Sequence, residues 1–141
     1  MSMRLDYPAI NAPAIKSMLA AKSHMGTIAK GLRAVIELRV SQINGCRYCI
    51  RLHRDEALAA GEADARLAAL ATWRDNPLFD AAEQAALAWA ETVTKITERG
   101  APDPVYNALQ KHFSAEQIVD LTLIIAQMNA WNRLAISFET P

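Results

Sequence analysis

At 141 residues the chain is long enough for one domain with a sizeable core and short for two. Hydrophobic residues make up 52% of it and aromatics only 6%, an aliphatic, alanine-rich balance that suits helices packed on helices and argues against a sandwich or barrel. Fifteen basic and fifteen acidic residues cancel, which leaves no long-range field to draw nucleic acid or an anionic membrane, so neither is expected as a partner.

The first residues, MSMRLDYPAINAPA, lack the apolar stretch of a secretory signal, and no run reaches the roughly 20 apolar residues of a membrane span. The expectation is a cytoplasmic protein. Pro8 and Pro13 lie before or at the start of a first helix, roughly 13–24, and Gly26-Thr27 separates it from a second, roughly 28–43. In that second helix Leu32, Ile36, Val40 and Ile43 recur at helical spacing. Asn44-Gly45 then breaks the chain, because both residues tolerate turn conformations that others resist.

A third helix is predicted from Cys46 to about Ala60, capped by Gly61. A fourth follows from Glu62 to Trp73 and stops at Asp75-Asn76-Pro77. Asp80 caps a long fifth that runs through Leu87, Trp89, Val93 and Ile96 to Gly100. Asp103-Pro104 opens a short sixth. Ser114-Ala-Glu-Gln117 reads as a capping box that opens the last helix. That helix is apolar nearly all round, so both its faces need cover, one of them from another subunit. Trp73, Trp89, Trp131 and Met128 read as core or interface packing, and His24 and His112 as surface residues.

The chemistry concentrates between Glu37 and His53. If the third helix begins at Cys46, then Cys46 and Cys49 are an i,i+3 pair and Cys49 and His53 an i,i+4 pair, so all three form one ridge. Glu37 sits on the preceding helix, and the Asn-Gly turn can fold it back against that ridge. A helix N-terminus stabilises a thiolate, an imidazole one turn away can take the thiol proton, and a carboxylate can fix the imidazole's tautomer. The second sulfur can close a disulfide once the first is oxidised to a sulfenic acid.

Magnitudes decide what these neighbours are for. Lowering a thiol pKa from about 8.5 to about 6 raises the thiolate fraction at neutral pH roughly 30-fold. The accompanying loss of nucleophilicity takes back roughly 13-fold, leaving about a twofold gain. Proton delivery to a leaving oxygen is worth roughly a hundredfold or more. Against a peroxide, the histidine and glutamate therefore serve as proton shuttle more than as thiol activator. Which cysteine attacks stays open at this level: the helix dipole favours Cys46 and the nearer imidazole favours Cys49.

Two other readings compete. Zinc would find three ligands in Cys46, Cys49 and His53, whereas structural zinc sites hold four, and no second ligand motif accompanies them. A thioredoxin-like fold requires strands that the pattern does not contain. Glu37 also has a plain alternative, a charge paired with Arg33 one turn back.

The spacing E-x8-C-x2-C-x3-H, filled by Glu37, Cys46, Cys49 and His53, resembles the signature of the AhpD-like alkylhydroperoxidases in the carboxymuconolactone decarboxylase superfamily. Ser41-Gln-Ile-Asn-Gly-Cys46 and Asn129-Ala-Trp-Asn-Arg-Leu134 resemble its short members, and the likeness spans about residue 30 to the C-terminus. The resemblance implies an all-α, single-domain helical bundle of about six to seven helices over residues 1–141. It also implies assembly into trimers or hexamers and cysteine-based reduction of hydroperoxides by an external dithiol donor. Cys49 would attack, Cys46 would resolve, and His53 and Glu37 would relay the proton, with no cofactor and no metal. Tyr48 stands where the best-studied members carry a histidine. The superfamily's decarboxylases lack the dithiol, so its presence argues against lactone decarboxylation. The alternative is a protein disulfide reductase or redox-signalling module without peroxidase activity; a third reading is a metal-binding assembly protein.

Overall fold

The structure, a computed structural model, describes residues 2–141. It is all-helical, with no strand among the described residues. Short α1 (Tyr7–Ile10) and α2 (Ala12–Ala21) lead through a 3₁₀ turn to α3 (Lys30–Asn44) and α4 (Arg47–Ala59). Then come α5 (Asp64–Ala69) with a 3₁₀ extension, α6 (Ala81–Thr94), α7 (Ile96–Arg99), α8 (Asp103–Gln110) and α9 (Ala115–Ser137).

The central element is α3, packed against α4, α6 and α9, and α6 in turn packs on α8 and α9. It holds that place because Val35, Ile36 and Val40 lose all contact with solvent there. Leu87 of α6, Leu109 of α8 and Leu121 and Ile125 of α9 complete the same core. Each such side chain contributes roughly 1.5–3 kcal/mol over its exposed state.

Both predicted caps form: Asp80 with Glu83 and Ser114 with Gln117 make reciprocal capping boxes. Several boundaries differ from the sequence reading. Asp6 and Asn11 each cap a separate helix, so the proline-containing start is two helices and not one. The predicted 62–73 helix begins at Asp64 and tightens to 3₁₀ at Leu70. The fifth predicted helix breaks at Lys95, inside a stretch where Thr92, Val93, Thr94, Ile96 and Thr97 are all β-branched and lower the local helix propensity.

A polar network ties the end of α3 to α9. The Asn44 amide donates to Oδ1 of both Asn129 and Asn132, at 2.9 Å each. Asn132 Nδ2 donates to Ser41 Oγ at 3.1 Å, and Ser41 Oγ donates to the Glu37 carbonyl at 2.8 Å. This network fixes the turn from which the cysteine helix departs. On α9, Val119 and Leu123, one turn apart, remain exposed, so the apolar face predicted to need a second cover has none among the described residues there. No helix among the described residues is long and apolar enough to cross a membrane.

Candidate functional site

The site begins at Gly45, which ends α3 in the left-handed conformation (φ 71°) that residues with a side chain resist. The chain reverses there, and Cys46 becomes the N-cap of α4, one residue outside the helix that it was predicted to begin. Cys46 Sγ accepts the Cys49 backbone N–H at 3.3 Å, so this sulfur occupies the place where a capping oxygen usually sits. Cys46 and Cys49 are joined in a disulfide, with Cα atoms 5.2 Å apart. Both are buried, at 2% and 3% exposure.

One turn further along α4, His53 is buried as well. Its Nδ1 lies 2.9 Å from Glu56 Oε2, a hydrogen bond between i,i+3 neighbours. Glu37 is nearby on α3, but its Oε2 stands 3.9 Å from the same nitrogen, too far for a hydrogen bond. The other oxygen of Glu37 lies 3.4 Å from Arg33 Nε. The carboxylate predicted to hold the imidazole is thus paired with arginine, and a carboxylate that the sequence reading did not single out holds the imidazole. With Nδ1–H donating to Glu56, a neutral His53 keeps its lone pair on Nε2, free for a proton. The i+3 spacing from His53 was the signal that pointed to Glu56.

These side chains share a cavity of about 340 Å³. Cys49, His53, Glu37, Glu56 and Arg33 line it, and Cys46 does not. Its apolar walls come from Ile15 and Leu19 of α2, Leu52 of α4, and Ile124, Met128 and Trp131 of α9. Tyr48, the residue between the cysteines, also lines it. Met128 and Trp131, read as packing from sequence, are packing residues that double as cavity wall. His24 and His112 are exposed and stand apart from the cavity lining.

Such a chamber can accept a small organic molecule, since ligand sites start near 300 Å³ and are mostly apolar with a few converging polar groups. Ligand atoms of Glu37, His53 and Glu56 lie within 4.8 Å of one another, a spacing that a cation could bridge. The Arg33 guanidinium beside Glu37 already supplies compensating positive charge. The two sulfurs, being joined, offer no thiolate to a metal in this state.

The model of the carboxymuconolactone decarboxylase family matches residues 13–92. An uncharacterized protein of Bacillus subtilis (strain 168), YdfG, is 37% identical over 139 residues, which cover 97% of this chain and 95% of the relative. A solved structure from Agrobacterium tumefaciens, of a protein of unknown function assigned to AhpD-type antioxidant defence, superposes with a TM-score of 0.92. It is 34% identical, over 99% of this chain and 97% of that one. The alkylhydroperoxidase AhpD core of an uncharacterized peroxidase-related protein from Ralstonia eutropha JMP134 gives a TM-score of 0.83 at 21% identity, over 96% and 73% of the two chains. At that identity the likeness concerns the fold alone.

Proposed function

The chain belongs to the carboxymuconolactone decarboxylase family as an AhpD-like member, and on that premise we propose that it reduces organic hydroperoxides through the Cys46–Cys49 dithiol. The observation that carries this reading is the shared cavity: Cys49, His53 and two carboxylates line one mostly apolar chamber, and Cys46 does not line it. That arrangement supports Cys49 as the attacking sulfur and Cys46 as the resolving one, a choice that helix position alone left open.

In the reduced protein His53 takes the Cys49 proton. The thiolate attacks the terminal peroxide oxygen; an S–O bond forms as the O–O bond breaks, and the electron pair leaves on the alkoxide. The imidazolium returns its proton to that alkoxide, releasing an alcohol. Cys46 then attacks the sulfenic sulfur, expels water once a proton is supplied, and closes the disulfide. An external dithiol restores the starting state by exchange. Sulfur loses two electrons in the first step, the peroxide gains them, and the donor repays them in the last. Glu56 orients the imidazole in this scheme, and Glu37, 3.9 Å from the same nitrogen, is the second carboxylate of the proton relay.

A protein disulfide reductase would use the same sulfurs. Neither cysteine is more than 3% exposed, so a folded protein disulfide meets a steric barrier that a small hydroperoxide avoids. Lactone decarboxylation has no use for a thiol pair. We place the working form in the cytoplasm as a homo-oligomer, a trimer or hexamer. The exposed Val119 and Leu123, one turn apart on α9, support a subunit interface.

The deciding experiment is single-turnover consumption of an organic hydroperoxide by pre-reduced, metal-free protein, with Cys49→Ser alongside. One equivalent consumed, a Cys46–Cys49 disulfide by mass and an inert mutant are expected. Thiols that survive the peroxide would remove the peroxidase reading and turn the search to disulfide substrates.

A further inference from the structure

The chamber has a neighbour. A second pocket, of about 650 Å³, is lined by the end of α2, the start of α3 and the end of α4. Leu19, Lys22, Arg33, Glu37 and Glu56 line both cavities, so one set of side chains forms the boundary between them. The walls of the second pocket carry three cations, Lys22, Lys30 and Arg33, against two carboxylates, Glu37 and Glu56.

Their partners decide which of these charges are already spoken for. Arg33 pairs with Glu37 at 3.4 Å and donates from Nη1 to the Lys22 carbonyl at 3.3 Å. Glu56 holds His53 at 2.9 Å. Lys22 and Lys30 are exposed, and neither has a carboxylate oxygen within 4.0 Å among the described residues. Glu62 stands close to the start of α3, where a Cβ on Gly31 would meet its Oε1 at 2.9 Å, but it is bound to Arg66 at 2.8 Å and does not line the pocket. The uncompensated charge on this wall is therefore positive, and two lysines carry it.

Local structure brings the two together. Lys22 follows α2 directly, with its carbonyl tied to α3 by Arg33, and Lys30 is the first residue of α3. The α2–α3 connection thus delivers one lysine from each of its ends to a single pocket. The first turn of α3 holds no acidic residue, so the helix dipole adds to the positive potential there. A lysine can lay its apolar stem along a cavity wall and keep its ammonium at the wet rim.

We propose that the substrate is a hydroperoxy carboxylic acid, with the hydroperoxide on an aliphatic chain and a carboxylate at the far end, and that Lys22, backed by Lys30, receives the carboxylate. The inference rests on the hydroperoxide reading of the site and names the substrate class which that reading leaves open. The apolar chamber takes the chain beside Cys49. Lys22 lines the chamber as well as the pocket, so the carboxylate need only reach the boundary that the two share. A monoanion suits this wall better than a phosphate dianion. Glu37 and Glu56 stand on it, and its one guanidinium, the group shaped to grip a phosphate, is engaged by Glu37.

The test compares one chain with and without its charge. Pre-reduced protein is mixed with ω-hydroperoxyoctanoate or with its methyl ester, and the ratio of the two single-turnover rate constants, acid over ester, is the readout. Wild type is expected to give a ratio of roughly ten at low ionic strength, the scale of one or two exposed ion pairs. In Lys22→Met/Lys30→Met, which keeps the stem length and removes both charges, the ratio is expected to fall to about one or below. Lys22→Arg is expected to hold the ratio near that of wild type. A wild-type ratio near one overturns the inference. So does a double variant that keeps the wild-type ratio, including one that slows equally on both substrates, because a structural role would act on acid and ester alike. A ratio that about 0.5 M salt leaves unchanged also overturns it, since exposed charges are screened at that concentration. Cumene hydroperoxide is run alongside: wild type inert to all three compounds would sink the reduction reading and this inference with it, whereas turnover of cumene hydroperoxide without a preference for the acid sinks the inference alone.

Discussion

His53 gives its Nδ1 hydrogen bond to Glu56, 2.9 Å away on the same helix, and leaves Glu37 at 3.9 Å on the neighbouring one. The histidine is therefore oriented from within α4, whatever α3 does. Glu56→Ala removes the group that fixes the tautomer, and the rate of peroxide consumption is expected to fall about tenfold. Glu56→Gln keeps an acceptor oxygen and is expected to lose less. Stopped-flow mixing with excess hydroperoxide reads both, and an Ala variant as fast as the parent would return the orienting role to Glu37.

The cysteine turn depends on α9 through Asn132, which is fully buried. It accepts from Asn44 and donates to Ser41, so an apolar replacement removes two hydrogen bonds, and Asn44 keeps only Asn129 and Ser41 only the Glu37 carbonyl. Asn132→Leu is expected to cost about 2–3 kcal/mol in urea denaturation of the reduced protein. A loss below about 0.5 kcal/mol would show that water or a rotamer change replaces the network.

How much of this was legible in the sequence follows from the range of each interaction. Cys46, Cys49 and His53 share one helix, and helical spacing alone puts them on a ridge. Glu37 was findable because an Asn-Gly turn separates it from that ridge, but its partner was ambiguous, and Arg33 took the closer place. Glu56 obeys the same i+3 rule as the cysteines and was readable in principle. The cavity was not: its walls bring Ile15 and Leu19 against Ile124 and Trp131, more than a hundred residues away, and no local pattern encodes that meeting. Helix boundaries failed where local energies nearly balance, as in the β-branched run around Lys95.

Glu91 locks the far side of α3. Its burial pushes the carboxyl up, but hydrogen bonds from Trp73 and Arg39 and the charges of Arg39 and Arg74 outweigh that and hold it below its ordinary value. A carboxyl lowered by folding stabilises the protein above its unfolded pKa, and that stability is lost as pH falls through the folded value. Glu91→Gln is expected to destabilise by roughly 1–2 kcal/mol at neutral pH. The difference from wild type should shrink as pH drops below the ordinary carboxyl value of 4.5. Thermal melts of both proteins from pH 7 to pH 3 check the slope; a constant difference would contradict it.

Assembly is tested on α9. Light scattering is expected to give a mass three or six times that of the chain, and Leu123→Glu, which places a charge in the exposed apolar face, to lower it. A wild-type protein at the mass of one chain would contradict the oligomer.

The central claim is that Cys49 meets the peroxide and Cys46 resolves it. It is tested most directly by treating reduced Cys46→Ser protein with one equivalent of organic hydroperoxide and a sulfenic-acid-trapping diketone, then mapping the adduct by mass spectrometry. The account predicts one adduct, on Cys49, formed as fast as the wild-type disulfide. An unmodified Cys49 in that protein, together with an adduct on Cys46 in the Cys49→Ser counterpart, would contradict it.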